Sequence, residues 1–425
     1  MINKDKLAIY GGEPVISKKL SSYNTIGDEE IKAVNKVMES GILSGFIGAE
    51  GEGFHGGKEI KNLEKEVAQH FQVNHCIAVN SWTSGLIAAV GSLDIEPGDE
   101  IIVTPWTMVA SATAILHWNA IPIFVDIDEN TFNIDPEKIE HAITPRTRAI
   151  LYADIFGQSG NIDRIMSVAK RNNLKVISDS AQSPGALYKG KFAGTLSDIG
   201  GFSLNYHKHI HCGEGGLVVT NSDYLAQKVK LIRNHGEAVI KSNRVEDLSN
   251  ILGHNFRLGE IEAAIARKQL KKLSKLINSR QIAAKRLREG LKNLKSLYLP
   301  FIPKECTHVY YVFGMILNQS IAAKRALIAN ALKAEGVPAL GIGYQNIHLN
   351  PLFKNRIAYG TKSFPWKGLN GRDSRVTYQE GLCPIAEKLH KETFLGMGLC
   401  HHLYNNQEVD LIIEAFHKVW EGLDL

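Results

Sequence analysis

Between Cys76 and Ser178 the chain alternates short apolar runs with stretches of helical spacing, and this restricts the fold more than any other feature. Cys76-Ile77-Ala78-Val79, Glu100 to Thr104, Ile121 to Val125, Ala149 to Ala153 and Lys175 to Ser178 read as strands. Thr83 to Leu93, Val109 to Trp118, Pro136 to Ile143 and Ile162 to Asn173 read as the helices between them. Such alternation predicts an α/β fold with a mostly parallel sheet covered on both faces by helices. Ligands of these sheets bind beyond the carboxyl ends of the strands. Those ends carry Asn80-Ser81, Pro105-Trp106, Asp154 and Asp179.

At 425 residues the chain is long enough for two cores. A large α/β domain is expected over 1–275, with an N-terminal arm of about 1–27, and a smaller α+β domain over 276–425. Asp28 to Ser40 and Lys58 to Phe71 read as helices. The stretch from Gly41 to Gly57 holds seven glycines and reads as a long loop of the kind that is often functional. Glu260 to Leu294 reads as a long basic helix with a solvated face; it lacks the aromatic interleaving of a nucleic-acid surface. Beyond residue 300, Val309 to Ile316 reads as a strand, with helices near Ile321 to Glu335 and Gln407 to Trp420.

The formal charge of +5 is small for this length and does not call for nucleic acid. Five scattered cysteines suit a reducing cytoplasm better than a disulfide framework. No apolar run reaches the roughly 18 residues of a membrane span, and Met1 to Lys6 does not open a secretory signal.

The chemistry concentrates in Phe202-Ser203-Leu204-Asn205-Tyr206-His207-Lys208-His209-Ile210-His211-Cys212-Gly213-Glu214-Gly215-Gly216. Upstream, Asp179 leaves an apolar strand, with Gln182 three residues on. An acid at a strand end, then a serine and a lysine five residues apart before clustered glycines, suits pyridoxal 5′-phosphate. The lysine forms a Schiff base with the cofactor's aldehyde, the serine holds its phosphate and the acid keeps the pyridine nitrogen protonated. Taken alone, Asp179 would more simply cap a turn, and Ser81 or Thr83 would simply cap the helix that follows. Together with Lys208, the hydroxyls of Thr83 and Ser84 at a helix N-terminus read as phosphate ligands. His207, His209 and His211 alternate, but no zinc-type spacing supports a metal, and none is expected.

The order of motifs resembles the DegT/StrS-type aminotransferases, fold-type-I pyridoxal phosphate enzymes that act mainly on keto-sugars, usually nucleotide-linked. The likeness runs through Asn80 to Ser84, Pro105 to Ser111, Phe156-Gly157-Gln158, Asp179 to Gln182, Ser203 to Gly216, Arg233-Asn234-His235-Gly236 and Leu252 to Arg257. It implies Lys208 as the Schiff-base lysine and Asp179 as the partner of the pyridinium. It also implies Gln182 on the cofactor's phenolic oxygen, and Thr83, Ser84 and Ser203 on its phosphate. Asn255 matches the residue that family members send to the neighbouring subunit's phosphate, so the resemblance implies a homodimer with shared sites. Glutamate or glutamine would donate the amine, the pyridoxamine form would carry it, and a keto-sugar or related keto-polyol would accept it.

Three departures stand out. Trp82 occupies a position where glycine is usual. Met108 falls where an aromatic ring usually stacks on the pyridine face, leaving Trp106 or the Met108 thioether for that task. Asp154 stands where many members have histidine, and the Gly45 to Gly57 loop is longer than expected. Two rivals remain at this level: a sugar dehydratase of the same fold, whose members carry histidine in place of the lysine, and a non-catalytic sensor on the same scaffold.

Overall fold

The computed structural model describes residues 7–20, 22–240, 249–368 and 373–425; Met1 to Lys6, the start of the expected arm, lie outside the described residues. Helices α1 (Asp28–Ser40) and α2 (Lys58–Phe71) flank the glycine-rich loop, and β1 (His75–Val79) opens the main sheet. There follow α3 (Trp82–Gly91), β2 (Glu100–Val103), α4 (Ala110–His117), β3 (Ile121–Phe124), α5 (Pro136–Ala142), β4 (Thr147–Ala153), α6 (Ile162–Arg171) and β5 (Lys175–Asp179). The alternation read from the sequence is present, with boundaries moved by a residue or two.

After a small hairpin, β6 (Leu187–Tyr188) and β7 (Lys191–Phe192), come two strands that the apolar pattern did not disclose, β8 (Ile199–Ser203) and β9 (Gly216–Thr220). Gly200 and Gly201 interrupt the apolar run of β8, and the apolar run of β9, Leu217-Val218-Val219, is only three residues long. The sheet order is β1-β9-β8-β5-β4-β2-β3. All neighbours are parallel except β9, which runs against both β1 and β8. Asp179 closes β5 in the middle of this sheet, in register with Ala153 of β4 and Gly201 of β8.

Helix α7 (Asp223–Arg233) leads toward α8 (Glu260–Leu291), which is continuous across residue 275. Its first half buries Ala263, Ala266, Leu270 and Leu273 against α2 and the main sheet. Its second half buries Ala283, Ala284, Leu287 and Leu291 in a separate core. That second core covers an antiparallel sheet of order β10-β11-β13-β12. Its strands are β10 (Leu297–Tyr298), β11 (Val312–Leu317), β12 (Leu340–Ile342) and β13 (Phe394–Gly398).

Helices α9 (Gln319–Ala322) and α10 (Arg325–Ala334) follow β11, α11 (Pro351–Lys354) and α12 (Pro384–Lys388) follow β12, and α13 (Asn406–Gly422) ends the chain. Leu7 and Ile16 of the N-terminal arm pack in this second core. Conversely, Ile347, Phe353, Trp366, Tyr378 and Cys383 return to the main core. There Phe353 meets Phe124 edge-on at 5.3 Å, and the Tyr378 hydroxyl donates to the Pro122 carbonyl at 2.8 Å. The two cores are thus cross-tied by segments of each other's chain.

Candidate active site

Asp179 is 5% exposed, and both of its carboxylate oxygens are engaged. Oδ1 accepts from the Trp82 indole Nε1 at 2.7 Å and from the Ala181 backbone N–H at 3.2 Å. Oδ2 accepts from the Ser111 hydroxyl at 2.7 Å, and Ser111 in turn meets the Thr107 hydroxyl at 2.8 Å. A carboxylate offers about four lone-pair directions, so these three donors leave one free.

Lys208 lies in the turn between β8 and β9, closed by its own N–H on the Asn205 carbonyl at 2.9 Å. The crossing is pinned by Leu204 N–H on the Gly215 carbonyl and Cys212 N–H on the Leu204 carbonyl. The Lys208 ammonium lies 4.4 Å from the centre of the Tyr311 ring, a cation–π contact. Burial pushes its pKa down from 10.5 to about 8, with the negative charge of Asp179 acting in the opposite direction. Lys208 and Asp179 are therefore both buried, and the charge of Asp179 reaches the Lys208 amine. They form no salt bridge among the described residues. A buried amine and a buried carboxylate held apart in this way suit a ring clasped between them, so the residues present fit pyridoxal phosphate.

The flanking histidines do not compete for that place. His209 is fully buried and its Nε2 donates to the Val309 carbonyl at 2.9 Å, away from Asp179. Burial, reinforced by the charge of Lys208, lowers the His207 pKa to about 4, so its ring stays neutral. Among the described residues no three His, Cys, Asp or Glu side chains are grouped to hold a metal ion.

Gln182 is clamped between the Phe156 N–H, which donates to its Oε1 at 2.9 Å, and the Tyr344 hydroxyl, which accepts from its Nε2 at 3.1 Å. The amide keeps a second N–H for another acceptor. At the start of α3, Ser81 takes the capping role and accepts from the Ser84 N–H at 3.0 Å. The Ser84 hydroxyl is turned onto Asn80 Oδ1 at 2.7 Å, while Thr83 is exposed. The Ser203 hydroxyl accepts from the Asn205 N–H at 3.3 Å. Asn255 is exposed, and its carbonyl accepts from the Asn80 side chain at 3.4 Å.

Trp106 requires a correction. It is fully buried, with Phe132, Phe156, Tyr344 and Phe394 all within 6 Å, centroid to centroid. No face of its ring is left for a ligand, because side chains remote in sequence converge on it. Met108, 56% exposed, is the side chain of that segment that meets open space.

Asp154 is fully enclosed. It accepts from the Gly160 N–H at 2.9 Å and the Ser180 hydroxyl at 2.5 Å, and burial raises its pKa to about 7. Four further site groups, Trp82, Ser111, Tyr311 and Tyr344, escaped the sequence reading as functional. Trp82 stood out only as a departure from the usual glycine, and Ser111 only as the end of the Pro105 to Ser111 motif. A cleft of about 520 Å³ lined by Asp128, Asn161, Arg164, Lys189 and Glu305 includes neither Lys208 nor Asp179, so the chemistry, not an open hollow, marks the site.

The model of the DegT/DnrJ/EryC1/StrS aminotransferase family matches residues 24–367, about four fifths of the chain. The chain belongs to that family. Among its relatives in this aminotransferase family is the spore coat polysaccharide biosynthesis protein SpsC of Bacillus subtilis, 32% identical over 94% of this chain and 96% of that one. Another is the dTDP-3-amino-3,4,6-trideoxy-alpha-D-glucose transaminase of Streptomyces venezuelae, 31% identical over 95% of both chains. The solved aminotransferase from Psychrobacter cryohalolentis superposes with a TM-score of 0.81 at 27% identity, covering 96% of this chain and all of that one. The fold is that of the type I aminotransferases, and the chain is a transaminase. No helix among the described residues is long and apolar enough to cross a membrane.

Proposed function

We propose that this aminotransferase carries an amino group from glutamate or glutamine to a keto-sugar, probe substrates of choice being nucleotide-linked, with pyridoxal phosphate as its cofactor. The observation that carries the reading is the buried pair, Lys208 and Asp179, held in one site without neutralising each other. When bound, the cofactor supplies an aldehyde that captures amines and a ring that draws electrons from the adjacent carbon.

The residues divide the remaining work. Asp179, hydrogen-bonded by Trp82, Ser111 and Ala181, would offer its remaining lone pair to the ring nitrogen and hold a proton there. Lys208, with a pKa of about 8, has an accessible neutral form near physiological pH. Its Nζ takes the proton from the donor's α-carbon and returns one later, the work of a general base and acid. The second N–H of Gln182 serves the phenolic oxygen. Thr83, Ser84 and Ser203, with the N-terminus of α3, hold the phosphate. Met108 covers the open face of the ring.

The relatives named for amino-sugar transamination, including the GDP-perosamine synthase of Caulobacter vibrioides, support a sugar nucleotide as acceptor. The five cysteines are all free, which fits a cytoplasmic setting. Exposure of Thr83, Met108 and Asn255 supports a homodimer in which a second copy closes the site.

Two measurements test the reading. Borohydride reduction of the cofactor-loaded protein followed by peptide mapping is expected to label Lys208, and a label on another lysine rejects the assignment. The pyridoxamine-loaded enzyme is then presented with free and nucleotide-linked keto-sugars while the cofactor's absorbance is followed. Turnover confined to 2-oxo acids would rule out the sugar acceptor.

A further inference from the structure

Trp82 begins α3, beside the hydroxyls of Thr83 and Ser84, yet its indole folds back beneath the helix and ends on Asp179. Space for the ring is made by two glycines. A Cβ on Gly85 would come within 2.6 Å of the indole Cε3, and one on Gly201 within 2.1 Å of its Cζ3. Gly201 is also the residue in register with Asp179 across the β5–β8 pair. The indole is therefore packed between the start of α3 and the end of β8. It is 5% exposed, and its 2.7 Å bond to Asp179 is shielded from water. Ser111 holds the other oxygen at 2.7 Å from the opposite side, at the start of α4.

Filling the space does not by itself require an indole N–H. A chain with an apolar ring at position 82 would fill the same space and leave a buried carboxylate oxygen short of a donor. Hydrogen bonds to an ionised group are short, directional and stronger than neutral ones. One on each oxygen fixes the plane of the carboxylate, and with the Ala181 N–H they leave one direction for a further donor.

We propose that Trp82, with Ser111 opposite it, is a positioning residue: its indole N–H sets the plane of the Asp179 carboxylate so that the one free lone pair meets the ring nitrogen of the cofactor. The same ring joins the phosphate end of the site to the acid end, since the residue that anchors it is also the first of the phosphate-holding helix. This rests on the reading of Asp179 as the partner of the ring nitrogen, and it adds a role for a residue that never touches substrate.

The test uses apo-protein and two probes: pyridoxal 5′-phosphate, and its carbocyclic analogue in which the ring nitrogen is replaced by C–H. Affinities are read by titration, independently of turnover, for the parent and for Trp82→Phe, which keeps an aromatic ring and deletes the donor. The parent is expected to prefer the nitrogen-bearing cofactor. Trp82→Phe is expected to bind pyridoxal phosphate roughly five- to tenfold more weakly, and the analogue as the parent does. Equal weakening toward both probes, or no change toward either, overturns the positioning role while leaving Asp179 in place. A parent with no preference between the probes overturns the Asp179 reading itself, and this inference with it. Should Trp82→Phe lose its fold by circular dichroism, the same ratio is read on Ser111→Ala, which removes the opposite donor and leaves the indole intact. An unchanged ratio there overturns the proposal equally.

Discussion

At the acid end of the site the Trp82 and Ser111 side chains that hold Asp179 are buried, whereas Met108 and, at the phosphate end, Thr83, Tyr206 and Asn255 stand in solvent. Trp82, Ser111 and Ala181 arrive at the carboxylate from α3, α4 and the turn after β5, all fixed by the main sheet. The outer rim instead carries apolar side chains with nothing over them, among them Leu252 at 65% and Ile47 at 61% exposed. A fold can prearrange charge and hydrogen bonds within its own core, where each donor has few alternatives. It cannot complete a rim whose remaining wall must come from elsewhere. The contrast therefore separates what this chain does alone from what we assign to a second copy.

The most damaging test strikes the inner end. Asp179→Asn is isosteric: its carbonyl can still accept from Trp82, and its amide can turn to the Ser111 hydroxyl. Only the charge is lost, and with it the hold on a ring-nitrogen proton. The half-reaction with glutamate is expected to slow by roughly 2–5 kcal/mol in barrier, the size of a buried charge left without its counterpart. Cofactor should still bind through its phosphate. Single-turnover rates near those of the parent would mean that Asp179 only shapes the turn.

Next in size is an effect on stability. Burial holds the Lys208 pKa at about 8, against 10.5 in the unfolded chain. Between those values the native state binds fewer protons than the unfolded one, so its stability rises with pH through that window. Below pH 8 the full cost of burying the cation is present. Lys208→Met keeps the length of the stem and removes the charge. It is expected to stabilise the apo-protein at pH 7 by on the order of 2–3 kcal/mol, a gain that fades as the pH approaches 10.5. Denaturant unfolding at pH 7 and pH 10 measures it. A variant no more stable than the parent at pH 7 would show that Lys208 is not held under strain for function.

How much of this was legible beforehand follows the same division between local pattern and long-range meeting. β1 to β5 and their helices announce themselves by apolar period, and Lys208 and Asp179 by residue type at strand ends. β8 does not, because Gly201, which admits the Trp82 ring, and Gly200 break its apolar pattern, and β9 offers only the short run Leu217 to Val219. The bond from Trp82 to Asp179 joins residues 97 positions apart, and no spacing rule connects them. Trp106 was misjudged for the same reason, since Tyr344 and Phe394 reach it from beyond residue 340. The segment from Ile347 to Cys383 has little periodicity, so its return to the main core was invisible until the fold was known.

The smallest expected effect belongs to the outer end, and it decides whether that end is shared. Asn255 is exposed, and its backbone is tied to Asn80 and Asn234 of its own chain, which leaves the side chain free at the rim. Asn255→Asp would set a carboxylate near a phosphate and weaken cofactor binding by about 1 kcal/mol or somewhat more, as one lost polar contact at a wet surface does. The informative experiment mixes Lys208→Ala with a bulkier, disabling substitution at Asn255, each inactive alone, under conditions that exchange subunits. If Asn255 serves the neighbouring subunit, each mixed dimer holds one site with both defects and one with neither. About a quarter of all sites would then be intact in an equal mixture. Activity above that of either variant alone is the expected result, checked against confirmed exchange by mass spectrometry. If Asn255 instead serves the phosphate of its own chain, beside the Asn80 it already touches, every site in the mixture keeps one defect and no activity returns. A fully active monomer would reject the shared rim outright, and would leave the exposed Leu252 and Ile47 to some other surface.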